Sequence, residues 1–96
     1  MRYNITQAAY NDLNDIWFYT FQKWSENQAD KYFEAIIQEI EITSNNPKNA
    51  KKVPKIINDY YYFRALSHYV FFKYEDDKIE VLRILHKMMD FSKHLE

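Results

Sequence analysis

The sequence of 96 residues contains no glycine and no cysteine, and it has only two prolines. Average glycine usage would place about seven glycines in a chain of this length. Without glycine there is neither a Walker loop nor a dinucleotide-binding fingerprint, because both need backbone that approaches phosphate closely. Without cysteine, disulfide scaffolds, thiol catalysis and cysteine-ligated metal centres are excluded. These absences count against nucleotide-dependent and thiol-dependent enzymes.

Long apolar runs are also missing. No stretch of about 18 apolar residues could cross a membrane, and the N-terminal segment lacks the apolar region of a secretory signal. The chain is 47% apolar with a net charge of −1, which is typical of a folded protein and not of a disordered one. We therefore expect residues 1–96 to form one soluble domain, located in the cytoplasm.

Two helices joined by a very short link are predicted in the first half. Thr6 is a suitable N-cap for a helix over residues 7–24, because its hydroxyl can accept from an N–H of the first turn. Ser25 and Gln28 have the spacing of a capping box, which predicts a second helix over residues 26–45. The short link makes the two helices antiparallel neighbours.

Strands are predicted on both sides of this helical hairpin. Residues 2–5 form the first, and β-branched and aromatic residues favour three more over residues 60–65, 68–74 and 79–86. Residues 87–96 are compatible with a loop or a short helix. The order β-α-α-β-β-β predicts an α+β fold with the helical hairpin packed on one face of a small antiparallel-rich sheet.

The helical spacing and the strand alternation also predict which side chains are buried. Both tryptophans, Trp17 and Trp24, lie on the apolar stripe of the first helix, which favours burial. In the last strand Leu82 and Ile84 should point to one face of the sheet, and Val81, Arg83 and Leu85 to the other. The predicted core is Leu13, Trp17, Phe33, Ile37, Ile40, Leu82 and Ile84.

Charge is distributed unevenly. The first 47 residues carry seven acidic and three basic side chains, whereas residues 48–96 carry seven acidic and ten basic ones. Part of the basic excess is a cluster in the connector before the second strand, formed by Lys48, Lys51, Lys52 and Lys55. A solvated loop is the simpler interpretation, because a pI near 6.3 lacks the usual footprint of a nucleic-acid-binding protein. We expect no sequence-specific binding to nucleic acid.

No catalytic or metal-binding motif is evident in the sequence. His68, His86 and His94 lack the spacing of a zinc-binding helix, and no carboxylate cluster completes a metal site. Arg64 and Arg83 interrupt otherwise apolar strands. Each arginine is either a paired structural group or part of a binding surface.

Several segments in combination do resemble a known family. They are Tyr3–Ala9, Asp12–Trp17, Arg64, His68–Phe72, Val81–His86, Met89-Asp90 and His94-Leu95. Together they make the chain similar to the ParE toxins of the RelE/ParE superfamily along almost its whole length. The glycines that this family commonly has in turns and after the last-strand histidine are replaced here, by Asp77-Lys78 and by Lys87.

This resemblance implies the toxin of a type II toxin–antitoxin pair that inhibits DNA gyrase by binding it. It implies a ParD-like antitoxin, a toxin–antitoxin hetero-oligomer, and no cofactor, metal or catalytic residue. The residues expected to contact the target are Arg64, Arg83, His86, Met88, Met89 and Asp90. The residues expected to contact the antitoxin are Phe18, Tyr19, Phe21, Tyr69 and Phe71.

A ribosome-dependent mRNA endonuclease of the RelE type is the alternative within the superfamily. Such an enzyme needs a general acid, a general base and cations beside the developing charge. Arg64, Arg83 and His86 could supply part of that set. The tail after His86 contains no tyrosine, and the pI near 6.3 is low for a protein that binds RNA.

Overall fold

The computed structural model describes residues 3–54, 59–76, 78–89 and 92–95. Three α-helices are present within these ranges: α1 (Gln7–Lys23), α2 (Glu26–Asn45) and α3 (Ser92–Leu95). The described strands are β1 (Tyr3–Ile5), β2 (Lys51–Lys52), β3 (Tyr61–Ala65), β4 (His68–Glu75) and β5 (Lys78–His86). Some positions in the sequence predictions lie outside the described residues: Lys55, Asp77 and Asp90, the first residue of the predicted strand 2–5, and positions 91 and 96 of the predicted tail.

Both predicted helix starts are confirmed. The Thr6 hydroxyl accepts a hydrogen bond from the Ala9 N–H at 3.2 Å, and the Ser25 hydroxyl accepts one from the Gln28 N–H at 3.1 Å. These side chains satisfy N–H groups that have no partner inside the helix. Helix α1 ends at Lys23, so Trp24 is its C-cap and lies outside the helical repeat. Among the described helices, none is long and apolar enough to cross a membrane.

The strands form a single mixed sheet in the order β1-β5-β4-β3-β2. Strand β1 pairs parallel with β5, and the other neighbours are antiparallel. The predicted α+β fold and its antiparallel-rich sheet are confirmed. The sequence prediction missed β2, which lies in the basic connector and pairs with Tyr61 and Tyr62. Two exposed lysines carry no apolar alternation that would mark a strand.

Hydrophobic clusters cover both faces of the sheet. The larger cluster joins the helical hairpin to one face through Leu13, Ile36, Ile40, Val70, Phe72, Ile79, Val81 and Ile84. The smaller one lies on the other face, where Leu95 of α3 and Val53 of the connector pack with Phe71 and Leu85. The short C-terminal helix therefore covers part of the face that the hairpin leaves open.

An irregularity in β5 overturns the predicted alternation of that strand. Phe71 pairs with Arg83 but Phe72 pairs with Val81, so Leu82 has no partner across the ladder. Such a bulge shifts the alternation by one residue. Val81 and Ile84 consequently join the same cluster, although they were expected on opposite faces. Leu82, predicted to be core, is only half-buried.

Of the seven residues predicted to form the core, three are fully buried and the other four are half-buried. Leu13, Ile40 and Ile84 are buried, and the half-buried Phe33 and Ile37 pack against the larger cluster. The two tryptophans depart from the prediction.

Trp17 is half-buried, because its indole N–H donates to the exposed Asp30 carboxylate at 2.9 Å and holds the ring near the surface. Trp24 is 73% exposed. The helix ends before it, so the helical phasing no longer directs its side chain toward the core.

Candidate functional site

A pocket of about 480 Å³ opens beside the second half of α1. Its walls come from α1, from Tyr32 of α2, from the turn between β3 and β4, and from the end of β5. The lining residues are Asp15, Ile16, Tyr19, Thr20, Trp24, Tyr32, Ser67, His68 and His86. The pocket therefore combines one carboxylate, three aromatic side chains and two histidines.

His68 is held by a hydrogen-bond chain on the wall of this pocket. The Ser67 N–H donates to the Tyr32 hydroxyl at 3.2 Å, and that hydroxyl lies 3.0 Å from His68 Nδ1. The Tyr32 hydroxyl therefore contacts both the backbone of the β3–β4 turn and the His68 ring. Burial, assisted by the neighbouring His86, lowers the pKa of His68 to about 4. His68 is therefore uncharged at neutral pH.

His86 faces His68 directly across the β4–β5 ladder. The two imidazole rings meet edge to face, with their centroids 5.2 Å apart. His86 Nδ1 accepts a hydrogen bond from the Met88 N–H at 3.2 Å, and the His86 carbonyl accepts one from the Met89 N–H at 2.9 Å. In this arrangement Nδ1 carries no proton. The same bonds fold the backbone after β5 into a turn.

Arg83 forms a two-pronged ion pair with Asp12 of α1. Arg83 Nε lies 2.8 Å from Asp12 Oδ2, and Nη2 lies 3.0 Å from Oδ1. The backbone N–H of Ile84 also donates to Oδ2, at 2.9 Å. Hydrogen bonding to Asp12 raises the pKa of Arg83 further. The sequence left open whether Arg83 is a paired structural group or part of a binding surface, and the ion pair favours the structural role. Asp12 uses two of the five N–H donors of the guanidinium.

The other predicted target residues lie around the same end of the sheet. Arg64 is exposed, and its Nε donates to the Leu66 carbonyl at 2.8 Å. It pairs with Tyr69 across β3–β4, which places it on the face away from the hairpin, whereas His86 lies on the hairpin side. Met88 is 81% exposed and Met89 is 43% exposed. Arg64 and His86 therefore do not meet in one cluster.

The predicted antitoxin residues of α1 are all exposed, but they lie in two places. Phe18 and Phe21 flank the Trp17 ring, with centroid distances of 5.4 and 5.3 Å. Tyr19 instead lines the pocket, and Lys23 Nζ lies 6.0 Å from the centroid of its ring.

Of the two sheet residues predicted to contact the antitoxin, Tyr69 is half-buried. Phe71 has only 1% of its surface exposed, because it belongs to the cluster that α3 and Val53 cover. Its side chain is not accessible to a partner in this conformation. The prediction that Phe71 is exposed for contact with the antitoxin is therefore wrong for this conformation. The sequence of the strand gave no sign that α3 and Val53 would cover this side chain.

Sequence reasoning missed four residues around the pocket: Asp12, Asp15, Tyr32 and Trp24. Tyr32 lies on the apolar stripe of α2, so its position predicted only core packing. Asp12 and Asp15 look like ordinary surface carboxylates near the start of a helix. Within the described ranges, no group of three or more His, Asp or Glu side chains is placed to hold a metal ion.

The fold is shared with a solved protein structure. The chain is similar to a solved structure of the chromosomal ParDE TA system from P. aeruginosa, with a TM-score of 0.77 and 17% identity. The similarity covers 90% of this chain and 95% of that one. At this level of identity, the comparison shows a shared fold.

Sequence comparison identifies the family. Residues 3–91 match the family model described as ParE toxin of type II toxin-antitoxin system, parDE. Toxin ParE1 of Mycobacterium tuberculosis (strain CDC 1551 / Oshkosh) is 30% identical over 98% of this chain and 97% of its own length. Toxin ParE1 of Caulobacter vibrioides is 30% identical over 97% of this chain and 96% of its own length. The chain belongs to the ParE toxin family of type II toxin–antitoxin systems.

Proposed function

We propose that this toxin acts by binding DNA gyrase and that a ParD-like antitoxin neutralises it in a hetero-oligomer. The observation that carries the proposal is the family match over residues 3–91. Relatives named Toxin ParE1, aligned over nearly their full length, support the same assignment.

The proposed antitoxin surface consists of exposed aromatic side chains of α1, of which two lie beside Trp17 and one lines the pocket. Phe18, Tyr19 and Phe21 are 59, 61 and 44% exposed. Exposed apolar patches of this kind are typical of binding sites. An amphipathic segment of the antitoxin can cover them, and an extended segment can add to a sheet edge at β1 or β2.

The proposed gyrase-binding surface is the end of the sheet where β5 stops. Arg64, His86, Met88 and Met89 are exposed there, and Asp90, outside the described residues, follows them in sequence. Arg83 has a supporting part in this proposal, because its ion pair fixes the end of β5 against α1.

Binding without covalent chemistry is favoured over RNA cleavage. A nuclease built from Arg64, Arg83 and His86 would require all three to face one phosphate. Arg64 lies on the opposite face of the sheet from His86, and two donors of Arg83 are engaged by Asp12. The pI near 6.3 also suits a protein target better than an RNA one.

Two assays on the purified toxin test this proposal. We expect the toxin to inhibit DNA supercoiling by gyrase or to trap cleaved DNA, and to leave translated mRNA intact. His86→Ala should weaken the gyrase effect, while His94→Ala, which changes another exposed histidine, should not. Ribosome-dependent mRNA cleavage that disappears in His86→Ala, with gyrase unaffected, would replace this proposal with the ribonuclease interpretation.

The antitoxin part is tested separately by co-expression. The small protein encoded beside the toxin gene should co-purify with the chain and restore supercoiling in the gyrase assay. If no neighbouring product binds the chain, the antitoxin part of the proposal fails.

A further inference from the structure

Three aromatic side chains, Tyr19, Trp24 and Tyr32, line the pocket beside α1. Tyr19 and Trp24 are 61 and 73% exposed, whereas Tyr32 is half-buried. Aromatic faces attract cations because the ring quadrupole places negative charge above the ring. Lys23 already approaches the Tyr19 ring, with Nζ 6.0 Å from its centroid.

Charge in the pocket favours a cation as well. Asp15 is the one carboxylate among the lining residues, and no lysine or arginine is included with it. His68 is uncharged at neutral pH because burial lowers its pKa. The nearby Asp12 is paired with Arg83, so Asp15 is the carboxylate that the pocket lining offers to a cation.

We infer that this pocket receives the guanidinium group of an arginine side chain from the antitoxin. The inference rests on the proposed function, since it names the antitoxin as the source of the arginine. A guanidinium can stack on Trp24 or Tyr19 while donating two parallel hydrogen bonds to the Asp15 carboxylate. A lysine ammonium has neither the flat face nor the fork.

The surroundings of the pocket indicate a protein partner as the source of the cation. Exposed aromatic residues continue outside the pocket at Phe18 and Phe21, and a free small cation would leave them uncovered. The first 47 residues, which include the hairpin, carry seven acidic and three basic side chains. Five of these acidic side chains and one lysine lie on α2, so the hairpin as a whole attracts a basic partner segment.

Affinity measurements on the toxin–antitoxin complex provide the main test. We expect Asp15→Asn and Trp24→Ala each to weaken antitoxin binding by roughly three- to tenfold. The matched controls are Glu34→Gln, which removes an exposed charge elsewhere on the hairpin, and Ile42→Ala, which truncates an exposed apolar side chain. Both controls should leave the affinity unchanged within about twofold.

Arginine-to-lysine replacements in the antitoxin identify the partner residue. One replacement should weaken binding to the wild-type toxin and have little further effect on Asp15→Asn, which is the coupling expected of a direct contact. If the complex forms but Asp15→Asn binds equally well or more tightly, the inference is overturned while the proposed function stands. Absence of any complex would instead overturn the proposed function, and the inference with it.

A titration of the toxin alone tests the chemistry of the pocket. The probes are Nα-acetyl-arginine methylamide and its uncharged citrulline counterpart, followed by amide chemical shifts. We expect the arginine compound to move the resonances of Tyr19, Trp24 and Ser67, and Asp15→Asn to abolish that response. Equal shifts with both compounds would contradict a cation site.

Discussion

His68 links the pocket to the pH dependence of stability. Its pKa in the folded protein, about 4, is below the ordinary histidine value of 6.5. The unfolded chain therefore takes up a proton at a higher pH than the folded chain does. Stability from this residue is complete above pH 6.5 and is lost as the pH falls from 6.5 towards 4.

We expect His68→Asn, which keeps an acceptor for Tyr32 but does not titrate, to remove part of this acid sensitivity. Between pH 7 and 4.5 the wild type should lose about 1–2 kcal/mol more than the variant, a value reduced because His68 remains partly exposed. Urea unfolding across this range measures the difference. His94→Gln serves as the control, and an identical pH profile for wild type and His68→Asn would contradict the prediction.

Asp12 connects three hydrogen-bond donors that would otherwise lack a partner. They belong to the Arg83 guanidinium and the Ile84 backbone N–H. Replacing Asp12 with alanine leaves a half-buried cation and an amide unpaired, so we expect a loss of about 1.5–3 kcal/mol in urea unfolding. Glu34→Ala, at an exposed position, should change stability by less than about 0.5 kcal/mol. A neutral Asp12→Ala would show that water replaces the carboxylate at no cost.

The ion pair between Asp12 and Arg83 also predicts the effect of an Arg83→Lys variant on stability and toxicity. Lysine keeps the charge but cannot reproduce the two-pronged contact, so the variant is expected to lose stability as well as toxicity. Asp12→Asn distinguishes the two causes, because it weakens the ion pair without altering Arg83. Toxicity lost equally in both variants would assign Arg83 a supporting role and not a direct contact with gyrase.

The helical hairpin depends on caps that the sequence specifies locally. The Ser25 hydroxyl accepts from the Gln28 N–H at the start of α2. We expect Ser25→Ala to cost about 1 kcal/mol in thermal or urea unfolding, and Ser25→Asp, which restores an acceptor, to cost much less. Equal losses in the two variants would show that the capping bond contributes little.

Strand β5 illustrates how one residue changes the role of a whole element. The bulge at Leu82 brings Ile84 onto the same face as Val81, so the strand contributes to the larger cluster on both sides of the bulge. Leu85, now on the other face, joins the smaller cluster. A strict two-residue repeat would instead place Ile84 on the same face as Leu82 and on the opposite face from Val81.

The molecule as a whole has two hydrophobic clusters separated by the sheet. Ile36 belongs to the larger cluster and Leu95 to the smaller one. We expect Ile36→Val to cost about 1 kcal/mol and Leu95→Ala about 2 kcal/mol. Because the two sites share no partner, the double variant should be additive within about 0.5 kcal/mol.

A pair of residues within one cluster provides the comparison for the expected additivity of Ile36 and Leu95. Ile36 and Ile40 lie one helical turn apart in the larger cluster, so Ile36→Val combined with Ile40→Val should depart from additivity. The measurement is chemical denaturation of the single and double variants. Strong coupling between Ile36 and Leu95 would mean that the two clusters respond as one.

The sequence alone determined the elements and their order. Caps, helical spacing and β-branched residues act over a few neighbouring positions, which is why α1, α2 and the main strands were predicted within one or two residues. The family resemblance followed from the same local segments. In the described part of the connector, the short 3₁₀ turn at Pro47–Asn49 and strand β2 were missed. The two lysines of β2 form a strand through pairing with β3 and not through their own pattern.

Only the tertiary structure decided the site. Asp12 and Arg83 are 71 positions apart, and Tyr32 and His68 are 36 apart, so no local pattern could join them. The burial of Phe71, the exposure of Trp24 and the face of Ile84 each depend on a feature that a periodic pattern lacks: a covering helix, a helix end and a bulge. Local propensity therefore fixed which elements form, while long-range packing and hydrogen bonding fixed which side chains meet.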